Sequence, residues 1–248
     1  MRRPCPVCRR DSVLLDVVDF NKTCEEARGK FLPPAGVPVS YLRCGNCGFT
    51  FAPELCAWTL EEFEARIYNA DYALVDPDYL DVRPRANAAS LVPMLGERGR
   101  TIRHLDFGGG NGKLSGLLRE ANWQSTSYDP FVDRDVAPET LGRFDLITAF
   151  EVFEHVPDVQ RLMTTLTSLL APDGVVLFST MASDGHLHPG QRIGWWYAAP
   201  RNGHISLYTR KSLDILAQKH GLKFGSFNEG FHAYFREIPD WAAPIFRR

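Results

Sequence analysis

The stretch that decides the fold is Ile102-Arg103-His104-Leu105-Asp106-Phe107-Gly108-Gly109-Gly110-Asn111-Gly112. A short strand runs straight into a cluster of glycines. Lys113 to Ala121 then carries Leu114, Leu117 and Leu118 on one helical face. At the end of a strand in an open α/β sheet, such glycines let the backbone approach a ligand closely, and the next helix starts there. Outward from this turn, strand and helix alternate. Gln124 to Asp129 reads as a second strand, and Phe144 to Phe150 is the near-continuous apolar run of a strand buried on both faces. A helix through Leu162, Leu166, Leu169 and Leu170 stops near Pro172-Asp173-Gly174, and Val175 to Thr180 is another buried strand. This order predicts a parallel sheet with helices on both faces.

A glycine turn alone does not discriminate among cofactors, because dinucleotide enzymes use a similar one. Asp106 does. An anion at the strand end repels a pyrophosphate but suits an ammonium group. Leu105 to Gly112 resembles the first motif, acidic-x-Gly-x-Gly-x-Gly, of the class I S-adenosylmethionine-dependent methyltransferases. Asp129, ending the second strand, matches the acid that takes the ribose hydroxyls in that family; a carboxylate can accept from both at once. Phe144-Asp145-Leu146-Ile147 and Glu151 to Asp158 resemble the fourth-strand region of its small-molecule members. The resemblance covers roughly Arg100 to the C-terminus. It implies a Rossmann-like, seven-stranded sheet whose last strand is antiparallel, with Phe224 to Phe227 and His232 to Arg236 as the last two strands. It implies S-adenosylmethionine as cofactor and S-adenosylhomocysteine as product, bound by Asp106, Gly108, Gly110, Gly112, Asp129 and Glu151. One departure stands out: the stretch between Asp129 and Phe144 is too short for a full helix, a third strand and its loop. Asp133 and Asp135 are the nearest candidates for the adenine contact, and neither aligns well.

The N-terminal region is of another kind. Cys5-Pro6-Val7-Cys8 and Cys44-Gly45-Asn46-Cys47 are two Cys-x-x-Cys turns. Each aims two sulfurs at one point, and zinc takes four thiolates in a tetrahedron, so Cys5, Cys8, Cys44 and Cys47 are predicted to hold a structural zinc. A closed four-thiolate site has no position for substrate. So small a module lacks the core to fold alone, and metal binding supplies the missing stability. Val39 to Arg43 reads as a strand entering the second turn, while Cys24 and Cys56 read as buried thiols. The alternative, unpaired thiols in ordinary turns, stays open on sequence alone.

These readings divide the chain into a zinc-ribbon-like module at 1–56, a helical linker or lid at 57–99 and a cofactor-binding domain at 100–248. In the linker, Thr59 with Glu62 makes a capping box for a helix reaching about Tyr72, and a second helix runs from Pro84 to Leu95, ended by Gly96. An insertion after the fifth strand, Ala182 to Ile205, carries His186, His188, Trp195, Trp196, Tyr197, Arg201, Asn202 and His204. Loops of this length in compact domains are usually functional or disordered, and the aromatic content argues against disorder. Trp195-Trp196-Tyr197 either stacks on a sugar or ring or forms core beneath the loop. Histidine titrates near neutrality, so His204 is the first candidate for the base that takes the acceptor proton and His155 the second. For each, the competing reading is a histidine bonded only to local backbone. Similar Glu and His positions in ubiquinone-pathway O-methyltransferases are associated with a divalent ion, which brings in Glu151, Glu154 and His155. The plain alternative is acidic side chains favoured at a helix N-terminus.

Composition narrows the function classes. The 248 residues are 44% hydrophobic and 23% charged with a net charge of −2, an ordinary globular balance with no basic surplus for nucleic acid. No apolar run approaches the roughly 20 residues of a membrane span, and Met1-Arg2-Arg3-Pro4-Cys5 does not resemble a secretory signal. A cytoplasmic location is expected, where six cysteines are better metal ligands or thiols than disulfides. The zinc module together with Pro200-Arg201-Asn202-Gly203-His204-Ile205-Ser206 resembles, more loosely, bacterial enzymes that tailor sugars and surface polysaccharides. The leading expectation is methylation of a hydroxyl or amine on a small molecule, a sugar or glycan precursor. The alternatives are a zinc-module RNA methyltransferase and a non-catalytic S-adenosylmethionine-binding protein. Acceptor identity and oligomeric state are not legible.

Overall fold

The structure is a computed structural model that describes residues 2–247. The chain packs as two compact units, neither contiguous in sequence. One unit takes Met1–Pro77, Phe153–Gln160 and Met181–Leu216; the other takes Asp78–Val152, Arg161–Thr180 and Ala217–Arg248. This differs from a linear division at 56 and 99. The segment after Val152 and the Ala182 to Ile205 insertion pack with the N-terminal cysteine region, because their buried polar and aromatic groups find their partners there.

The strands, in chain order, are β1 (Arg2–Pro4), β2 (Asp11–Asp19), β3 (Pro38–Cys44), β4 (Thr50–Phe51), β5 (Arg103–Phe107), β6 (Gln124–Tyr128), β7 (Phe144–Phe150), β8 (Leu170–Ser179), β9 (Ser206–Leu207), β10 (Lys223–Ser226) and β11 (Phe231–Phe235). In the second unit six of them form one sheet in the order β10-β11-β8-β7-β5-β6. β6, β5, β7 and β8 are parallel, while β11 runs antiparallel to β8 and β10 antiparallel to β11. This is the Rossmann-like methyltransferase sheet with six strands instead of the seven that the resemblance implied. The strand that would flank β6 is missing among the described residues, and a short 3-10 turn, Pro138–Leu141, stands between β6 and β7. The shortness of that segment is the physical reason.

One face of this sheet is the apolar core. Leu146, Val175, Leu177, Ala233 and Phe235 meet Ala88, Leu91 and Leu95 of the helix Val82–Leu95, and Leu114 and Leu118 of the helix Lys113–Glu120. Along β5 the residues alternate, so His104 and Asp106 share a face opposite Leu105. Register then sets their neighbours: His104 lies beside Ser125 of β6, and Asp106 beside Thr148 of β7.

The first unit carries a five-stranded antiparallel sheet, β1-β2-β3-β4-β9. Its last strand directly follows the insertion, with Thr50 facing Leu207 and Phe51 facing Ser206. The predicted capping box is formed, Thr59 and Glu62 each accepting the other's backbone N–H. The helix it starts is shorter than expected, ending at Arg66, and a second short helix covers Tyr72–Val75. A largely aromatic core fills this unit, with Phe49 against Tyr208 at 5.0 Å and Phe153 against Tyr208 at 5.9 Å between ring centroids. No helix among the described residues is long and apolar enough to cross a membrane.

Candidate functional site

In the sheet unit, the turn after β5 has Gly108, Gly110 and Gly112 at φ of 74°, 54° and 73°, a region that L side chains rarely adopt. Gly109 is required for space instead. A Cβ there would lie 2.3 Å from Ser127 Oγ and 2.7 Å from Asp106 Oδ2. The turn thus keeps a cradle open above the Asp106 carboxylate. Asp106 is buried and accepts the Thr148 hydroxyl at 2.9 Å. Burial pushes its carboxyl up to about 7, the Thr148 bond opposes this, and the charge of Asp129 adds to it. A carboxylate in that position gains most from a cation brought beside it.

Asp129 follows β6 and is only partly buried. Its Oδ2 accepts the Gly110 N–H at 3.0 Å and its Oδ1 the Phe131 N–H at 2.9 Å, so each oxygen retains a lone pair for another donor. Gly108 and Gly109 both donate to the Tyr128 carbonyl, at 2.8 and 3.2 Å, which ties the glycine turn to the end of β6. Asp133, one adenine candidate, accepts the Asp129 N–H at 2.8 Å and so serves the turn; Asp135 is exposed. Glu151 sits at the end of β7 with φ of 53°, a strained position for a non-glycine residue. Ser179 at the end of β8 holds it there: the Glu151 N–H donates to Ser179 Oγ at 2.8 Å, and that hydroxyl donates to Glu151 Oε1 at 2.7 Å.

The other unit brings together the four cysteines of the two turns, whose sulfurs all lie within 4.8 Å of one another. Cys5 and Cys47 are 3.6 Å apart, and Cys8 and Cys44 3.4 Å. Four sulfurs bound to zinc at 2.3 Å stand about 3.8 Å apart along each edge of the tetrahedron, so the cluster has the size of a zinc site. The thiols compete for charge: the bond from Cys47 holds Cys5 down to about 5, and the same bond raises Cys47. Cys56, outside the cluster, is pushed up to about 12 by burial, though it and Cys24 are only partly buried, not the buried thiols expected.

The same unit gathers His204, His155 and Glu154, whose ligand atoms also lie within 4.8 Å of one another. His204 is buried, and its Nδ1 lies 2.8 Å from the Tyr197 carbonyl. A carbonyl only accepts, so Nδ1 carries the proton and Nε2 is the basic nitrogen. Tyr197 is itself braced, its hydroxyl donating to Glu154 Oε1 at 2.5 Å, with its ring 4.2 Å from that of His204. His155 Nδ1 lies 3.0 Å from the Tyr68 hydroxyl and its ring 4.9 Å from His204. Gly203, at φ of 87°, makes the approach possible, since a Cβ there would meet Tyr68 Oη at 2.9 Å and His155 Nδ1 at 3.0 Å. Asn202 locks the segment, its Oδ1 accepting the Cys24 N–H and its Nδ2 donating to the Val75 carbonyl.

Residues 79–225, more than half of the chain, match the family described as "Methyltransferase domain". The chain belongs to this S-adenosylmethionine-dependent methyltransferase family. Among its relatives, a ubiquinone biosynthesis O-methyltransferase of Psychrobacter cryohalolentis is 32% identical over 114 residues, 45% of this chain and 44% of that protein. The chain thus spans less than half the length of the curated relatives it matches. The 1,6-didemethyltoxoflavin-N1-methyltransferase of Burkholderia thailandensis, solved with its substrate and S-adenosylhomocysteine, is 17% identical with a TM-score of 0.51. The match covers 84% of this chain and 98% of that one. An O-methyltransferase family protein from the same organism is 14% identical at a TM-score of 0.50, over 72% of this chain and 63% of that chain. These two likenesses concern the fold.

In this methyltransferase, the sequence motifs place Asp106, the three positive-φ glycines and Asp129 around one turn, with Glu151 ending β7. Glu151 is not in the Glu154–His155–His204 group, because its carboxylate takes the Ser179 hydroxyl. Of the aromatic run, Trp195 and Tyr197 are core, Trp195 lying flat on His186 at 4.9 Å, and only Trp196 reaches solvent, 36% exposed. Sequence reasoning missed the roles of Tyr68 and Tyr197 beside the histidines, and of His104 and Thr148 behind Asp106. Apart from Tyr197 and His204, seven residues apart in an irregular loop, their partners lie at least 21 residues away, where no spacing rule operates.

Proposed function

We propose that this methyltransferase moves the methyl group of S-adenosylmethionine to a hydroxyl or amine of a small molecule, a sugar or glycan precursor. The observation that carries the reading is the intact turn: Asp106 beneath an open glycine cradle, with Asp129 held by backbone N–H groups so that its remaining lone pairs face outward. Asp106 takes the ammonium of the cofactor, Asp129 its ribose hydroxyls, and Gly108, Gly110 and Gly112 let the backbone approach it; Glu151 closes the set. S-adenosylmethionine supplies a methyl carbon already activated by a sulfonium sulfur. His204 Nε2 would take the proton of the acceptor hydroxyl or amine. Glu154 through Tyr197 fixes the tautomer that makes Nε2 basic, and His155 is the alternate base. Cys5, Cys8, Cys44 and Cys47 hold a structural zinc that fixes the N-terminal turns.

The test is methyl transfer from labelled S-adenosylmethionine to fractionated metabolites and, in parallel, to RNA. Label in a hydroxylated or aminated small molecule is the expected result. Label in RNA alone overturns the acceptor class, and cofactor binding with no transfer to either pool supports the non-catalytic alternative. A second reading rests on the Glu154, His155 and His204 group, whose converging donor atoms suit a divalent ion. Metal content separates the two: one ion per chain fits the four cysteines alone, whereas two fit both groups.

A further inference from the structure

A single file of buried polar groups runs through the sheet behind the glycine turn. The Ser115 and Ser125 hydroxyls are 2.9 Å apart, and Ser125 Oγ is 2.7 Å from His104 Nδ1. His104 Nε2 is 3.0 Å from Thr148 Oγ1, whose hydroxyl reaches Asp106 Oδ1 at 2.9 Å. All five residues are buried, and His104 and Thr148 are fully so. Burial alone lowers His104 to about 3, so the ring is a neutral imidazole with one donor and one acceptor nitrogen. Every hydroxyl in the file also has one proton to give. The chain of bonds therefore runs in one of two senses, with no mixed arrangement that satisfies every member.

When Asp106 is ionised it can only accept. Thr148 then donates to it, His104 Nε2–H donates to Thr148, and Nδ1 is left to accept from the Ser125 hydroxyl. When Asp106 carries a proton on Oδ1 and gives it to Thr148, each bond reverses and His104 becomes the Nδ1–H tautomer, whereas a proton on Oδ2 leaves Oδ1 an acceptor and the file unchanged. The groups around the carboxyl are few. Thr148 faces it from β7, and Ser127 Oγ and Asp106 Oδ2 both border the Gly109 cradle. Asp129 is the charged neighbour that acts on it. Around His104, the β6 and helix neighbours are Ser125, Ser115 and the edge of the Trp123 ring, and Arg119 donates to the Ser125 carbonyl.

We propose that His104 is a positioning residue whose tautomer is locked to the charge on Asp106 through Thr148, so that a cationic ligand group on Asp106 sets the whole file in one sense. This rests on the reading of Asp106 as the ammonium site. It gives that carboxylate a hydrogen-bond donor with no alternative acceptor, which orients Oδ1 and leaves Oδ2 toward the Gly109 cradle.

The experiment is nitrogen-detected NMR of the full chain with 15N-labelled histidine, from pH 5.5 to 8.5, with and without S-adenosylhomocysteine. Unliganded, the His104 signal should pass from Nδ1–H to Nε2–H as pH rises through the Asp106 transition, near 7. Saturation with S-adenosylhomocysteine should hold it as Nε2–H at pH 6. Below the transition the affinity should fall about tenfold per pH unit, because binding must then release one proton. Thr148→Val keeps the shape and cuts the file, so His104 should stop responding to pH and ligand. A His104 tautomer constant across the range in the unliganded chain, or one that still switches in Thr148→Val, overturns the proposal. Failure of S-adenosylhomocysteine to bind instead overturns the cofactor reading, and the unliganded titration still decides the file.

Discussion

The two units of this methyltransferase keep their polar groups in different ways. In the sheet unit, the groups assigned to the cofactor come from strand ends and one turn, and their partners are register neighbours or nearby backbone. Asp106 beside Thr148 and Asp129 beside Gly110 are both consequences of a parallel sheet. In the cysteine unit, the groups of interest are gathered from three separate stretches of chain. Tyr197 gives its hydroxyl to Glu154 and its backbone carbonyl to His204, and Tyr68 reaches His155 from 87 residues away. The difference teaches that a regular sheet can position a cofactor with local rules, whereas a site assembled from distant loops needs a brace. Here the braces are a cysteine cluster and buried tyrosine hydroxyls.

Substitutions sharpen this comparison. The largest expected effect falls on the cysteine unit. Cys44→Ser should lose the zinc and, with it, the order of the N-terminal turns, since structural zinc contributes about 10–16 kcal/mol in small domains. Elemental analysis and limited proteolysis check this; a native, folded chain without zinc removes the brace from the argument. Next is His204→Ala, expected to slow methyl transfer by about 10²–10⁴ while S-adenosylhomocysteine binding is unchanged. Retained turnover makes His204 structural and moves the role to His155. In the sheet unit, Asp129→Ala should weaken S-adenosylhomocysteine by about 1.5–3 kcal/mol for each charge-assisted bond lost, and calorimetry showing equal affinity contradicts its assignment. The smallest effect is Tyr197→Phe. It removes one donor from the buried Glu154 carboxylate and should cost about 1–3 kcal/mol of stability in a denaturant titration, together with a loss of rate through His204. A stable variant with full activity means that the tyrosine brace is dispensable.

The same contrast governs what the sequence reveals. β7 and the part of β8 from Val175 are legible because their apolar runs match buried strands, β5 because it runs into the glycine turn, and the Thr59 capping box because its spacing is local. The four cysteines are legible because two Cys-x-x-Cys turns advertise their ligand geometry without a partner. β2 is not. Asp11 and Asp19 bound it and Asp16 interrupts its apolar residues, and Asp16 instead pins the insertion by accepting from Arg192 and Ile193. The pairing of β4 with β9 is equally hidden, since two-residue strands have no periodicity to read. The family resemblance implied a seventh strand, and only the length of the Asp129 to Phe144 stretch signalled its absence. Within the candidate site, the acids and glycines are written in motifs. The tautomer of His204 and the file behind Asp106 depend on contacts that only the folded chain makes.

The closure of β4 onto β9 also sets an order of events during synthesis. The cysteine turns lie within the first 47 residues and can take up metal as soon as that stretch emerges. Their sheet lacks its last strand until Ser206 and Leu207 have followed. Non-local pairings of this kind pay their loop-closure entropy before any contact repays it, and they form slowly. A nascent chain therefore carries an early segment, with both cysteine turns in place, whose unpaired β4 edge waits while the intervening sheet is made. A zinc ion bound early would hold that waiting segment in register.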